Sequence, residues 1–181
     1  AAVEEVLLSP PQPLPSKLAM RMEMVPLRLG PAPTEPELEK LQEDSAVVTR
    51  RWSTRLLAEL QAGKPFTREY TFPMQAWKLG DRQLLLTLGG EPVVDYALKF
   101  KREFGEQTWV AGYCNDVMTY LPSLRVLRED VPPLANPRWG YEGSYAFIVY
   151  GLPARRWADD VEDRITESVR RLVRQVEVSS I

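Results

Sequence analysis

The most constraining feature of the sequence is a short run at 84–88, LLLTL, that is apolar at nearly every position. Such a run is typical of a central strand that is covered on both faces. A second strand is predicted over 72–79, and Gly80-Asp81 between the two runs predicts a short hairpin connection. The sequence therefore predicts a sheet with this hairpin near its centre.

A helix and a further strand follow the hairpin directly. Gly89-Gly90-Glu91-Pro92 turns the chain into a helix over 92–104, with Val94, Ala97 and Leu98 as its apolar face, and Gly105 ends it. A strand is predicted over 108–114. Strand, helix and strand in this order favour a crossover between parallel strands. The predicted fold class is α/β (or α+β), with a mixed sheet covered by helices.

The remaining elements surround this unit. Met20, Met22 and Met24 alternate with charged residues and predict one half-buried strand over 18–29. Thr34 and Glu37 form a capping box that begins a helical arm. Other predicted elements are a short helix over 123–129, a proline-rich loop over 130–139, a strand over 144–150 and a helix over 157–176. No repeat or linker divides the chain, so we expect one unit over 1–181: a proline-rich lead-in and strand (1–33), the helical arm (34–63) and the α/β portion (70–181).

Composition narrows the possible functions. The chain has 23 Lys+Arg and 25 Asp+Glu, a net charge of −2, which disfavours nucleic acid as a partner. It contains no histidine, so by itself it supplies no Ser-His-Asp system, no histidine zinc ligand and no imidazole acid or base. Cys114 is alone, which excludes an intrachain disulfide. The apolar runs are shorter than the roughly 20 residues of a membrane span.

Glu91 is the first candidate site residue. It lies between the end of a buried strand and the start of a helix, where ligands commonly bind in open α/β sheets and where the helix dipole stabilises a carboxylate. The alternative is that Glu91 only complements that dipole at a surface turn. Asp95 lies one helical turn later, so the two carboxylates suit acid/base chemistry or simply form a solvated helix face.

Tyr120 is the second candidate, in the segment AGYCNDVMTYLPS. If the two flanking strands are sheet neighbours, Tyr120 and Glu91 leave the sheet at the same edge and can converge as two oxygen ligands of a metal. The alternative is a tyrosine that packs its ring and bonds its hydroxyl to a backbone carbonyl.

Tyr141 is the third candidate, because Gly140 and Gly143 can hold its hydroxyl rigidly just before the strand predicted over 144–150. The alternative is that this segment is an ordinary strand start flanked by glycines.

Taken in order, three segments resemble the neutral/alkaline, non-lysosomal ceramidase family, including its ceramidase-like bacterial members. They are GGEPVVDY after the hairpin, AGYCNDVMTYLPS, and GYEGSYAFIVYG before the last helix. The resemblance extends from about Met20 onward and implies the C-terminal part of a catalytic domain. It implies hydrolysis of the N-acyl amide of ceramide to sphingosine and fatty acid, and a secreted or periplasmic protein of sphingolipid metabolism.

The resemblance also implies roles for the three candidates. Glu91 matches the carboxylate zinc ligand, Tyr120 the tyrosine ligand, and Tyr141 the tyrosine that holds the scissile carbonyl and its oxyanion. The family's zinc needs two histidines as well, and this chain has none. The expected partner is therefore the N-terminal part of the same domain, and the chain alone is expected to be inactive. The long DVPPLANPRWG insertion is a departure from the family. Two alternatives stay open: a non-catalytic binding or scaffold module, and a hydrolase of another amide or ester.

Overall fold

The structure is a computed structural model that describes residues 2–11, 13–129 and 140–178. Its centre is a four-stranded mixed sheet in the order β1-β2-β3-β5. The first three strands pair antiparallel and β3 pairs parallel with β5, which confirms the predicted mixed sheet and hairpin. A separate two-stranded sheet joins β4 to β6. The strands are β1 (Leu18–Arg28), β2 (Glu69–Leu79), β3 (Gln83–Leu88), β4 (Glu91–Pro92), β5 (Thr108–Ala111) and β6 (Tyr120–Leu121).

Seven α-helices accompany the strands in the described part of the chain. They are α1 (Ala2–Leu8), α2 (Glu35–Leu41), α3 (Val47–Gln61), α4 (Val94–Phe104), α5 (Leu124–Glu129), α6 (Ala146–Tyr150) and α7 (Val161–Val178), with a π-helical turn at Tyr141–Tyr145. The last helix packs on β1 and β2, and α4 packs on β5, so the crossover predicted between the parallel strands is present. Phe72, Leu86, Phe100 and Ile165 are fully buried between these layers.

A second, smaller apolar cluster lies under the helical arm. The capping box at Thr34 and Glu37 is present and begins α2, as predicted. The arm is a helical pair, and its second helix buries Trp52 and Leu56 against Ile148 of α6. The indole of Trp52 donates a 2.7 Å hydrogen bond to the carbonyl of Leu152, which ties the arm to the chain that follows α6.

The strand predicted over 144–150 is wrong, because this segment is the π-helical turn followed by α6. Gly140 and Gly151 flank it, both with positive φ, and so allow a short helical element to start and stop abruptly. Phe147 packs in the sheet core while Ile148 packs in the smaller cluster, so the segment connects two cores. A short apolar run does not distinguish a strand from a buried helix, and tertiary packing decided between them.

The apolar face predicted for the helix after Pro92 is also wrong. In α4 the buried residues are Tyr96 and Phe100, whereas Val94 and Leu98 are exposed. In β1 the buried side carries Ala19, Val25 and Leu27, and the methionines lie on the other side, 40–53% exposed.

Other boundaries differ in detail. The last helix begins at Val161 instead of 157, because Trp157 forms an isolated bridge with Leu29. The short helix α1 was not predicted, and none of its residues is buried. The loop predicted over 130–139 lies outside the described residues.

Candidate functional site

The structure brings Glu91 and Tyr120 together in the smaller sheet. The two residues are direct partners in the parallel pairing of β4 and β6, and Pro92 pairs with Leu121. The amide of Glu91 donates a 3.0 Å hydrogen bond to the carbonyl of Thr119, and the amide of Val93 donates to that of Leu121. Glu91 and Tyr120 therefore lie side by side, in a separate two-stranded sheet and not at an edge of the four-stranded one.

A glycine makes this close pairing possible. Gly90 has a φ of 70°, and a Cβ atom at this position would lie 2.9 Å from the carbonyl oxygen of Thr119 and 3.0 Å from that of Met118. Its own amide donates to the carbonyl of Asp116 at 2.9 Å. Only a residue without a side chain allows the two segments to approach to these distances in this conformation.

The loop between β5 and β6 carries an unusual concentration of backbone strain. Tyr113, Asn115 and Thr119 all have positive φ, at 56°, 68° and 44°. For a bulky or β-branched residue this conformation costs about 1–3 kcal/mol, and such residues cluster at functional sites. Side chains fix the loop from outside: the hydroxyl of Tyr70 donates to Asp116 at 2.9 Å, and the amide of Gln75 donates to Asn115 at 2.8 Å.

Two tyrosine hydroxyls converge on the carboxylate of Glu91. Tyr113 and Tyr120 both donate a hydrogen bond to it. The bond to Glu91 raises the pKa of Tyr113 to about 12, because a nearby anion disfavours the phenolate. Burial, followed by the same kind of hydrogen bond, raises the pKa of Tyr120 well above its usual value. The arrangement brings together three oxygen-bearing groups, one carboxylate and two phenol hydroxyls.

Tyr141 lies beside this group, although in a helical turn instead of before a strand. Its ring meets the ring of Tyr120 edge to face, with centroids 5.4 Å apart. The carbonyl of Tyr120 in turn accepts a 2.9 Å hydrogen bond from the indole of Trp157, a fully buried side chain in the sheet core. The three candidates from the sequence are therefore neighbours, with Tyr120 between Glu91 and Tyr141. The hydrogen bond from Trp157 attaches Tyr120 to the sheet core.

A cleft of about 810 Å³ opens beside these residues. Glu91 and Tyr120 line it together with Val93, Arg125 and Glu142. The guanidinium of Arg125 is held by Asp95 and by Glu129, at 3.0 and 2.8 Å, and so places a positive charge in the wall of this cleft.

Asp95, weighed above either as an acid/base partner of Glu91 or as part of a solvated helix face, is engaged by Arg125 and Ser123. It accepts two hydrogen bonds from Arg125 and one from the hydroxyl of Ser123. The bonds from Arg125, and then the one from Ser123, lower the pKa of this carboxyl. Asp95 therefore serves to orient Arg125 at the wall of the cleft.

The site fits a divalent metal only in part. A carboxylate and a phenol oxygen at adjacent positions are suitable hard ligands, and zinc in proteins usually takes four ligands or three plus a water. Within the described ranges, no group of three His, Cys, Asp or Glu side chains is placed to hold a metal ion. The chain therefore offers two oxygen groups at adjacent positions and, having no histidine, no imidazole ligand.

Sequence reasoning missed three residues of this site. Tyr113 and Arg125 have no spacing signal, since Tyr113 approaches Glu91 from a loop and Arg125 lines the cleft from a separate short helix. Trp157 has no local signal either, because its hydrogen bond to Tyr120 spans 37 positions. The positive φ at Tyr113 could not be predicted from the sequence, because tyrosine rarely adopts that conformation.

Comparison of the chain with protein-family models, with curated proteins and with solved structures gave no match. The geometry of the site is therefore the basis for any functional proposal. None of the helices in the described part of the chain has the length and apolar character to cross a bilayer.

Proposed function

We propose that this chain supplies the oxygen ligands of a zinc site in an amidohydrolase that resembles neutral ceramidase. Glu91 and Tyr120 would hold the metal, and Tyr141 would contact the scissile carbonyl. The observation that carries the proposal is the direct pairing of Glu91 with Tyr120, with the ring of Tyr141 packed against the latter.

The proposed reaction is hydrolysis of an N-acyl amide. Zinc, when bound, polarises the amide carbonyl and activates the attacking group. The protein's own residues position the ligand carboxylate and stabilise the oxyanion. Tyr113 holds the carboxylate of Glu91 in place, and the hydroxyl of Tyr141 donates a hydrogen bond to the developing oxyanion. Arg125, fixed by Asp95, favours negative charge in the cleft. The substrate class is ceramide or another N-acyl amide.

The isolated chain provides the first test. Two oxygen ligands without imidazole make a poor zinc site, so calorimetry of the 181-residue chain should show no tight zinc binding and no ceramide hydrolysis. Stoichiometric zinc binding with turnover by this chain alone would refute the proposal.

Variants in the polypeptide that also carries the histidines provide the second test. Glu91→Ala and Tyr120→Phe should each remove bound zinc and activity together. Glu129→Gln is the matched control and should keep both zinc and activity. Glu129 lines the same cleft but forms its ion pair with Arg125, not with Glu91 or Tyr120. Zinc content and function that survive both site variants would favour the scaffold alternative. Activity on simple N-acyl amides without activity on ceramide would favour another substrate.

A further inference from the structure

The strand β1 forms one end of the four-stranded sheet, and its outer edge has no strand neighbour over most of its length. Near the C-terminal end of β1 this edge is occupied. There the amide of Ala158 donates at 2.9 Å to the carbonyl of Arg28, and the side chain of Arg164 donates at 3.4 Å to that of Pro26. No strand in the described part of the chain pairs with the outer side of residues 18–24, which we call the open edge.

The pairing of β1 with β2 determines which backbone groups the open edge presents. The amide of Leu29 donates to the carbonyl of Arg68, and the carbonyl of Lys17 accepts from the amide of Gly80. The odd-numbered residues of β1 therefore direct their backbone groups toward β2. Neighbouring residues of a strand direct these groups to opposite sides, so the even-numbered residues direct theirs outward. On the open edge these residues are Leu18, Met20, Met22 and Met24.

The sequence of the open edge is complementary to a second copy of itself. In an antiparallel pair centred on Met22, the Met22 residues of the two copies face each other, and Met20 faces Met24 of the second copy. Even-numbered residues then meet even-numbered residues, so each of these pairs exchanges both of its backbone hydrogen bonds. On the other side of the strand, Arg21 lies opposite Glu23 of the second copy, and this pair of opposite charges occurs twice.

Charge selects this register over its two neighbours. A slip of two residues in one direction places Arg21 opposite Arg21, and a slip in the other direction places Glu23 opposite Glu23; like charges directly opposite are destabilising. The carboxylate of Glu23 is already oriented by Ser168 and Arg171, at 3.0 and 2.6 Å, and its side chain is still 33% exposed. It can therefore accept a further hydrogen bond from an arginine of a second copy.

The open edge lacks the features that usually protect a sheet edge from pairing. Residues 18–24 contain no proline and no lysine, and their register with β2 has no bulge. The side chains of Met20, Met22 and Met24 are 40%, 50% and 53% exposed. Pairing of two copies would bring these methionines into one apolar row across the junction, which removes part of their surface from water.

We propose that the open edge pairs with the open edge of a second copy of this chain, antiparallel about a two-fold axis at Met22. The two four-stranded sheets then join into one continuous sheet. Seven residues span only about 24 Å, so the contact buries less than the roughly 800 Å² per partner of a stable interface. The dimer is therefore reversible, with a dissociation constant of roughly 10–100 μM. The proposal is independent of the zinc assignment, because Glu91 and Tyr120 lie in the other sheet.

Sedimentation velocity and amide hydrogen exchange of the 181-residue chain test the pairing. The chain should pass from monomer to dimer between about 1 and 500 μM. At the highest concentration the amides of Met20, Met22 and Met24 should exchange about fivefold more slowly than in the monomer. The amides of Arg21 and Glu23 are the internal control, because they face β2 and should be protected in both states.

A substitution at the centre of the pair tests its position. Met22→Lys should raise the dissociation constant at least about tenfold, because it places two ammonium groups opposite each other at the axis. Val47→Lys is the matched control and should leave it unchanged: Val47 is 51% exposed, close to the 50% of Met22, but begins α3. Circular dichroism verifies that both variants keep the fold of the parent chain.

A charge exchange tests the register. Arg21→Glu and Glu23→Arg should each weaken self-association, because each variant places like charges opposite each other. An equal mixture of the two variants should form a heterodimer, because every facing pair then has opposite charges. If Glu23→Arg disturbs the fold through the loss of its bonds to Ser168 and Arg171, the exchange pattern and Met22→Lys still decide.

Three results would overturn the proposal. The first is a chain that stays monomeric up to about 500 μM, which would leave the open edge to a strand of different sequence. The second is a dimer in which the amides of Met20, Met22 and Met24 exchange as fast as in the monomer, which would place the contact on another surface. The third is a dimer that Met22→Lys weakens no more than Val47→Lys does.

Discussion

Gly90 offers the sharpest test of how the site is built, because a second glycine provides a matched control. Gly90 and Gly63 have nearly the same backbone conformation, with φ of 70° and 68°. A Cβ at Gly63 would meet nothing within 4 Å, whereas a Cβ at Gly90 would lie 2.9 Å from the carbonyl oxygen of Thr119. Substitution to alanine at both positions separates the cost of the conformation from the cost of the close approach.

The expected magnitudes follow from this geometry. An alanine in the left-handed region costs about 1–2 kcal/mol, and the stiffer unfolded chain returns about 0.4–1 kcal/mol. Gly63→Ala should therefore lower the free energy of unfolding by about 1 kcal/mol. Gly90→Ala carries the same cost and adds overpacking against two backbone carbonyls and the ring of Phe72, typically about 1–3 kcal/mol. We expect a difference of about 1–3 kcal/mol between the two variants.

Urea denaturation of both variants measures this difference, and unchanged m-values would show that the denatured state is comparable. Hydrogen exchange at the amides of Gly90 and Glu91 provides a local measure, because these amides bond to Asp116 and Thr119 and should open first in Gly90→Ala. Equal destabilisation by the two substitutions would refute the inference that Gly90 is required for the close pairing of β4 with β6.

Three further predictions address the same region. In chelator-treated chain, Glu91→Gln should lower the pKa of Tyr113 from about 12 toward 10, because the anion that disfavours the phenolate is gone; absorbance of tyrosinate at high pH measures it, with the Tyr113→Phe variant subtracted. Tyr96→Phe should destabilise the chain by about 1–3 kcal/mol, because the buried hydroxyl donates to the carbonyl of Pro122, which then loses its partner. Asp95→Asn should lower stability near neutral pH but not in acid: the native pKa of Asp95 is depressed, so its contribution is present above the unfolded pKa of about 3.9 and is lost as the pH falls through the native value.

Each of these predictions has a result that would contradict it. An unchanged titration after Glu91→Gln would mean that Tyr113 does not bond to the carboxylate in solution. The control for Tyr96→Phe is Tyr150→Phe, because the side chain of Tyr150 is 39% exposed. Equal losses of stability in the two variants would contradict a stabilising role for the buried hydrogen bond of Tyr96. A constant stability difference between wild type and Asp95→Asn down to strongly acid pH would remove the ion pair with Arg125 as its cause.

Elements with strong local signals were predictable from the sequence. The LLLTL strand, the capping box at Thr34 and the helix after Pro92 are specified by residues next to one another, and all three are present. Which side of an element is buried was less predictable. In α4 the exposed Val94 and Leu98 are as apolar as the buried Phe100, and only the position of the sheet determines which of them is covered.

The sequence by itself determined the residue types of the candidate site and their order: a carboxylate at Glu91, phenols at Tyr120 and Tyr141, and no imidazole anywhere. These properties are chemical and do not depend on folding. Tertiary structure alone decided that the three residues meet, that Tyr113 and Arg125 join them, and that the methionines face outward. Such outcomes depend on pairings between distant strands and on which layer packs where, and no local pattern of residues encodes them.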